Sequence, residues 1–219
     1  MHPFVKICGL RNPEDARLAY ELGADAIGFV NYAKSPRHVT PEEVRFCCAG
    51  LPATLKKVLV CVNASRDEIL PYLEAGCNVV QLHGQETPEF ARSLPCEIWL
   101  ALRLGQASDG LRARDFPCSR IVCDSAPRHA ELPGGTGETG DWQLARDFTA
   151  KSSLPVLLAG GLHVGNVRQA LLEVGAAGVD LSSGVESAPG IKDPTKIAAF
   201  LRLLNAQLRG RPDRPQQPS

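Results

Sequence analysis

The chain has 219 residues, 44% of them hydrophobic and 22% charged, a balance that fits a folded globular domain and argues against global disorder. Lys and Arg number 24 and so do Asp and Glu, so there is no broad basic field for a nucleic acid or an anionic membrane surface. An anion bound here must be small and held by a local site.

Apolar runs alternate with amphipathic segments along the whole chain. Runs rich in Val, Ile and Leu lie at 4–7, 26–30, 58–62, 79–82, 98–102, 121–123, 156–159 and 178–181. Their length and composition predict strands buried on both faces of a parallel sheet. Helices are predicted between them at 13–22, 41–48, 67–75, 88–94, 141–147, 164–173 and 194–208. Four begin with a capping residue followed by Pro, at Asn12-Pro13, Thr40-Pro41, Thr87-Pro88 and Asp193-Pro194, a typical helix start. The interval 105–117 reads poorly as helix and is expected to be short or irregular. Eight strands spaced by about 25 residues predict an α/β fold, a single closed (β/α)₈ TIM barrel over 1–208. An open doubly wound sheet shares the same alternation and is the competing architecture. The Pro-, Gln- and Arg-rich stretch at 209–219 is expected to be a disordered tail.

No run approaches the roughly 20 apolar residues of a membrane helix, and the N-terminus shows no signal-peptide pattern. The eight cysteines, at 8, 47, 48, 61, 77, 96, 118 and 123, form no Cys-x-x-Cys pair and have no zinc-ligand spacing. They read as mostly small buried apolar residues in a reducing, cytoplasmic setting. A zinc site built from these cysteines is therefore not expected.

A closed barrel puts its chemistry at the C-terminal strand ends, and the unusual residues fall there. Gly160 and Gly161 follow the seventh strand, and Ser182, Ser183 and Gly184 follow the eighth. These adjacent loops predict a phosphate cradle, because glycine lets backbone N–H groups approach an oxyanion closely. Cys8 closes the first strand, two residues beyond Lys6 on the same face. It reads either as a packing residue or as a base whose thiolate the ammonium favours near neutral pH. Asp124 closes the sixth strand and reads as a general acid or as a loop cap acting through Ser125. Arg37, after Pro36, is either a surface residue or a fork for a substrate carboxylate. His83 reads as a satisfied barrel histidine rather than an acid–base group. Lys6 and Asp180, the odd charges of neighbouring strands, are expected to pair, since a lone buried charge is costly.

Taken in order, Lys6-Ile7-Cys8-Gly9-Leu10, Ser35-Pro36-Arg37, Val80-Gln81-Leu82-His83-Gly84, Asp124-Ser125, Gly134-Gly135-Thr136-Gly137, Leu158-Ala159-Gly160-Gly161 and Asp180-Leu181-Ser182-Ser183-Gly184-Val185-Glu186 resemble the phosphoribosylanthranilate isomerase family from Val5 to about Leu204. The resemblance implies an aldose–ketose (Amadori) isomerisation in tryptophan biosynthesis without metal or organic cofactor. It implies Asp124 as acid, Cys8 as base and Arg37 on the anthranilate carboxylate. His83, Gly135, Gly160, Gly161, Asp180, Ser182, Ser183 and Gly184 are the expected substrate contacts. A small phosphorylated substrate is the expected partner of a monomer or homodimer. The chain departs from the family pattern at Asn31, Cys61 and Gly140. Another sugar-phosphate barrel isomerase and a non-catalytic phosphate-sensing barrel are the alternatives. A metal-dependent epimerase of that class is poorly matched, because His83 stands alone among the strand ends.

Overall fold

The computed structural model describes residues 2–104, 113, 115–125 and 142–205. Eight parallel strands close into one barrel in sequence order. They are β1 (Phe4–Cys8), β2 (Ala26–Asn31), β3 (Lys56–Cys61), β4 (Val79–Leu82), β5 (Glu97–Arg103), β6 (Arg120–Asp124), β7 (Val156–Ala159) and β8 (Gly178–Leu181). The helices are α1 (Pro13–Glu21), α2 (Pro41–Cys48), α3 (Arg66–Glu74), α4 (Pro88–Ser93), α5 (Trp142–Lys151), α6 (Val167–Val174) and α7 (Pro194–Asn205). Pairing of β1 with β8 closes the ring, which decides against the open sheet. The irregular stretch expected at 105–117 falls largely outside the described residues, and so does the tail at 209–219.

Local chemistry sets the helix starts. Asn12 Oδ1 accepts from the Asp15 N–H at 2.8 Å and Thr87 Oγ1 from the Phe90 N–H at 3.2 Å. Asp193 Oδ1 accepts from the Thr195 N–H at 2.8 Å. Thr40 and Glu43 form a reciprocal capping box. Each cap satisfies a backbone donor that the first helical turn leaves without a partner. Ser65 and Glu68 form a second box and start α3 at Arg66, one residue before the predicted position. α6 starts at Val167, three residues later than predicted, after a turn in which Asn166 Oδ1 accepts from the His163 N–H at 2.8 Å.

The core has two layers, as strand alternation requires. Val5, Ile7, Ile27, Leu59, Leu82, Leu100 and Leu158 face outward into the helices. Ala26, Val58, Val79, Trp99, Ala101, Val122 and Leu157 fill the barrel interior, with Phe4 packed against them. Trp99 meets Phe4 edge-on at 5.9 Å between ring centroids, and the Arg120 guanidinium caps Phe4 at 4.1 Å. This apolar plug seals the N-terminal half of the barrel and leaves the polar inward positions to the other end.

Candidate active site

A cavity of about 810 Å³, counting its open mouth, sits at the C-terminal strand ends. Cys8, Arg37, His83, Asp124, Gly160, Gly161, Asp180, Ser182 and Ser183 all line it. One mouth thus gathers the predicted residues from β1, β4, β6, β7 and β8 and the β2 loop. Gly184 is not among the lining residues, and Gly135 and Gly140 lie outside the described residues.

Cys8 is 8% exposed and stands beside Gly28 in the β1/β2 register. A Cβ at Gly28 would sit 2.8 Å from Cys8 Sγ and 3.1 Å from Lys6 Cε, so this glycine makes room for thiol and ammonium together. On the other side of β1, Lys6 and Asp180 are register partners. Lys6 Nζ donates to Asp180 Oδ2 at 2.7 Å, fully buried at the lysine end. The expected pair is present. Burial opposes the charge on Lys6, but Asp180 and then Cys8 outweigh it and hold the ammonium above its ordinary pKa.

The expected effect on the thiol is corrected. Burial pushes Cys8 above the ordinary cysteine value, and Lys6 lowers it only in part while Asp180 raises it further. The thiol form therefore dominates near neutral pH. The ammonium donates to Asp180, and burial disfavours the charged thiolate.

His83 is half-buried and its backbone N–H donates to the Cys61 carbonyl at 2.9 Å. Burial lowers its imidazole pKa, against the pull of the nearby Asp124 carboxylate, so the ring is neutral. Asp124 is 3% exposed and is the β6/β7 register partner of Ala159. Sequence reasoning passed over Gln81, a buried cavity-lining amide. The signal was its inward parity on β4, between Val79 and His83.

The two anion-site loops lie against each other. Gly160 and Gly161 adopt left-handed backbone with φ of 93° and 63°, a region that favours glycine. Asn166 Nδ2 donates to the Gly161 carbonyl at 2.9 Å and fixes that turn. A side chain at Gly184 would collide with the Leu162 carbonyl, so the loops after β7 and β8 pack with no space between their backbones.

Arg37 reaches the cavity, but two of its donors are engaged. Nε donates to Glu186 Oε1 and Nη2 to Glu186 Oε2, each at 2.7 Å. Lys192 Nζ also donates to Glu186 Oε1 at 2.7 Å and to the Ser182 carbonyl at 3.0 Å. Glu186 opens β9 (Glu186–Ala188) and Lys192 closes β10 (Ile191–Lys192), a hairpin after a 3₁₀ turn at Ser183–Val185. Neither residue is assigned a role in the sequence analysis. Their signal was two charges flanking a short hairpin beside the strand-eight loop.

The family model of N-(5'-phosphoribosyl)anthranilate (PRA) isomerase matches residues 5–202. The chain belongs to this family. It is 46% identical to the N-(5'-phosphoribosyl)anthranilate isomerase of Pseudomonas putida strain W619 over 203 residues, which cover 91% of this chain and 96% of the relative. It is 44% identical to that of Gloeothece citriformis over 209 residues, covering 92% and 93%. The Thermotoga maritima phosphoribosyl anthranilate isomerase structure superposes with a TM-score of 0.82 at 37% identity, covering 93% of this chain and 99% of that one. Another isomerase structure, in complex with reduced 1-(o-carboxyphenylamino)-1-deoxyribulose 5-phosphate, gives 0.78 at 36% identity over the same shares. A third describes monomers generated from the dimeric Thermotoga maritima enzyme, with a TM-score of 0.78 at 35% identity and again the same shares.

Within this family member the two described departures are absorbed by packing. Cys61 is fully buried in the layer between sheet and helices. Asn31 Oδ1 accepts from the Tyr72 hydroxyl at 3.3 Å. Neither residue lines the isomerase cavity.

Proposed function

We propose that the chain isomerises N-(5-phospho-β-D-ribosyl)anthranilate to 1-(2-carboxyphenylamino)-1-deoxy-D-ribulose 5-phosphate, a step of tryptophan biosynthesis. The observation that carries the reading is one cavity lined by both Cys8 and Asp124, with the paired Gly and Ser loops at its β7–β8 side. Asp124 protonates the furanose ring oxygen, the C1–O bond breaks, and the anthranilate nitrogen takes up the positive charge as an iminium. Cys8 thiolate then removes the C2 proton to give an enolamine, and ketonisation returns a proton to C1. Each step moves a proton between a side chain and the substrate, so the reading invokes no cofactor.

A thiol with a raised pKa suits this base role in one respect. Its thiolate is scarce but strongly basic, and a C–H proton beside an iminium demands a strong base. Gly160, Gly161, Ser182, Ser183 and Gly184 hold the phosphate through backbone N–H groups and hydroxyls. Arg37 takes the anthranilate carboxylate, and Asp180 and His83 line the sugar. The reading is tested by adding the purified chain to the substrate and following the loss of anthranilate fluorescence. Cys8→Ala and Asp124→Ala are each expected to lower kcat by about 10²–10⁴-fold with Tm preserved. Absence of turnover by the wild type would overturn the function, and near-normal turnover by Asp124→Ala would overturn the acid assignment.

A further inference from the structure

Arg37, Glu186 and Lys192 form one buried unit with side-chain exposures of 11%, 4% and 1%. Two distant parts of the chain build it. Arg37 comes from the turn after β2, which packs on the β9–β10 hairpin so closely that the Pro36 carbonyl leaves no room for a side chain at Gly190. Its aliphatic stem crosses Gly9, where a Cβ would lie 2.6 Å from Arg37 Cδ. Lys192 Nζ touches the Ser182 carbonyl at 3.0 Å and its hydroxyl at 3.4 Å. Lys196 Nζ donates to the Glu186 carbonyl at 2.7 Å and pins the backbone of the same residue. Glu186 is therefore the joint between Arg37 and the serine loop after β8, and the two lie close together: a Cβ at Gly9 would sit 2.6 Å from Arg37 Cδ and 3.1 Å from Ser182 Oγ.

We propose that Glu186 is a positioning residue: it fixes the Arg37 fork beside the Ser182–Ser183 loop, so that a ligand carrying both a carboxylate and a phosphate meets an arginine already held in place. The inference rests on the isomerase reading, which supplies such a ligand. A bidentate clasp fixes the plane of the guanidinium as well as its position, and it uses two of the five N–H donors, leaving others for a second carboxylate. Order imposed before binding lowers the entropic cost of capture. Burial works against the Glu186 charge, yet Arg37 and Lys192 keep its pKa below the ordinary carboxylate value, so the clasp stays charged across neutral pH.

The alternative role for Glu186 is plain charge balance, and the two roles predict opposite changes. The unit carries two cations and one anion. Glu186→Gln keeps the shape, removes the anion and raises the local charge from one positive to two. Charge balance alone predicts a lower KM for the anionic substrate. Positioning predicts a KM rise of about tenfold to a hundredfold with a smaller change in kcat.

The test compares the substrate with its analogue lacking the ring carboxylate, in wild type, Glu186→Gln, Glu186→Asp, Arg37→Ala and Arg37→Ala/Glu186→Gln proteins, with Tm measured for each. Wild type is expected to prefer the carboxylated substrate, and Glu186→Gln to lose most of that preference. The double variant is expected to match Arg37→Ala alone, because Glu186 acts through Arg37. Glu186→Asp keeps the charge with shorter reach and serves as the second variant if Glu186→Gln does not fold, with a partial loss expected. An unchanged preference in the folded Glu186 variants, or a fall in KM, would overturn the positioning role while leaving the isomerase reading intact. A wild type without turnover would remove both.

Discussion

Gly28→Ala offers a test of how the barrel holds its thiol. The added methyl carbon would lie 2.8 Å from Cys8 Sγ, 3.1 Å from Cys8 Cα and 3.1 Å from Lys6 Cε. Comfortable non-bonded separations are about 3.5–4.0 Å, so the thiol and the lysine stem must each retreat by roughly 0.5–1 Å. Cys8 Cα belongs to a strand paired on both sides and cannot absorb the strain alone. Overpacking of this kind costs about 1–3 kcal/mol, within the roughly 5–15 kcal/mol that keeps a domain folded. Displacing a reacting group by about 1 Å costs on the order of 10²-fold in rate. The expected result is a folded protein with a modestly lower Tm and kcat reduced by about 10²-fold, read by substrate fluorescence. Gly50→Ala is the control: φ is +75° but nothing lies within 4 Å, so it strains the backbone by about 1–2 kcal/mol and leaves kcat alone. If Gly28→Ala kept at least half of the wild-type kcat, packing around β1 and β2 would not be what positions the thiol.

Three further outcomes follow from the same geometry. Lys6→Met strands a buried Asp180 carboxylate and is expected to destabilise the fold by roughly 3–5 kcal/mol, whereas Lys6→Met/Asp180→Asn restores most of it; urea unfolding of the two variants decides, and equal losses would refute pairwise coupling. Alkylation of Cys8 by iodoacetamide, followed at its own peptide by mass spectrometry, should accelerate about tenfold per pH unit from 7 to 9 without a plateau. The reason is that burial sets the thiol pKa above its ordinary value, and a plateau below pH 8 would show that Lys6 wins instead. Gly184→Ala has no room against the Leu162 carbonyl and should weaken competitive inhibition by inorganic phosphate about tenfold, the worth of one hydrogen bond to a charged group; an unchanged inhibition constant would remove the anion from that loop.

What could be read from the sequence was either local or forced by closure. The four capped prolines mark helix starts because cap and donor lie three residues apart or fewer, and Thr40 with Glu43 shows the whole device within one turn. The Lys6–Asp180 pair spans 174 residues, yet closure of an eight-strand ring brings strands one and eight together and charge burial does the rest. The Arg37–Glu186 clasp spans 149 residues and follows from no such rule. With 24 acidic residues in the chain, nothing local distinguishes Glu186 as the partner. The direction of the Cys8 shift was misread for a related reason. The neighbouring ammonium is visible at a spacing of two, while the competing burial and the carboxylate that occupies the ammonium appear only in three dimensions.

One parity class of strand positions explains why the chemical end of the barrel could be located at all. Along β4 the inward residues run Val79, Gln81, His83; along β6, Val122 and Asp124; along β8 and its extension, Gly178, Asp180, Ser182. Each series turns from apolar or small to polar in two-residue steps toward the C-terminal end. The apolar members form a sealed plug around Trp99, and burial of that plug, at about 25 cal/mol per Å², offsets the cost of placing Lys6, Asp180 and Asp124 one layer above it. A charged side chain in the plug layer would be surrounded by apolar neighbours. The same side chain two residues later faces a cavity, where a ligand can satisfy it. The polarity gradient within the inward parity is therefore a physical requirement of a barrel that binds at one end, and it is why the alternating residues of a single strand already point to the mouth.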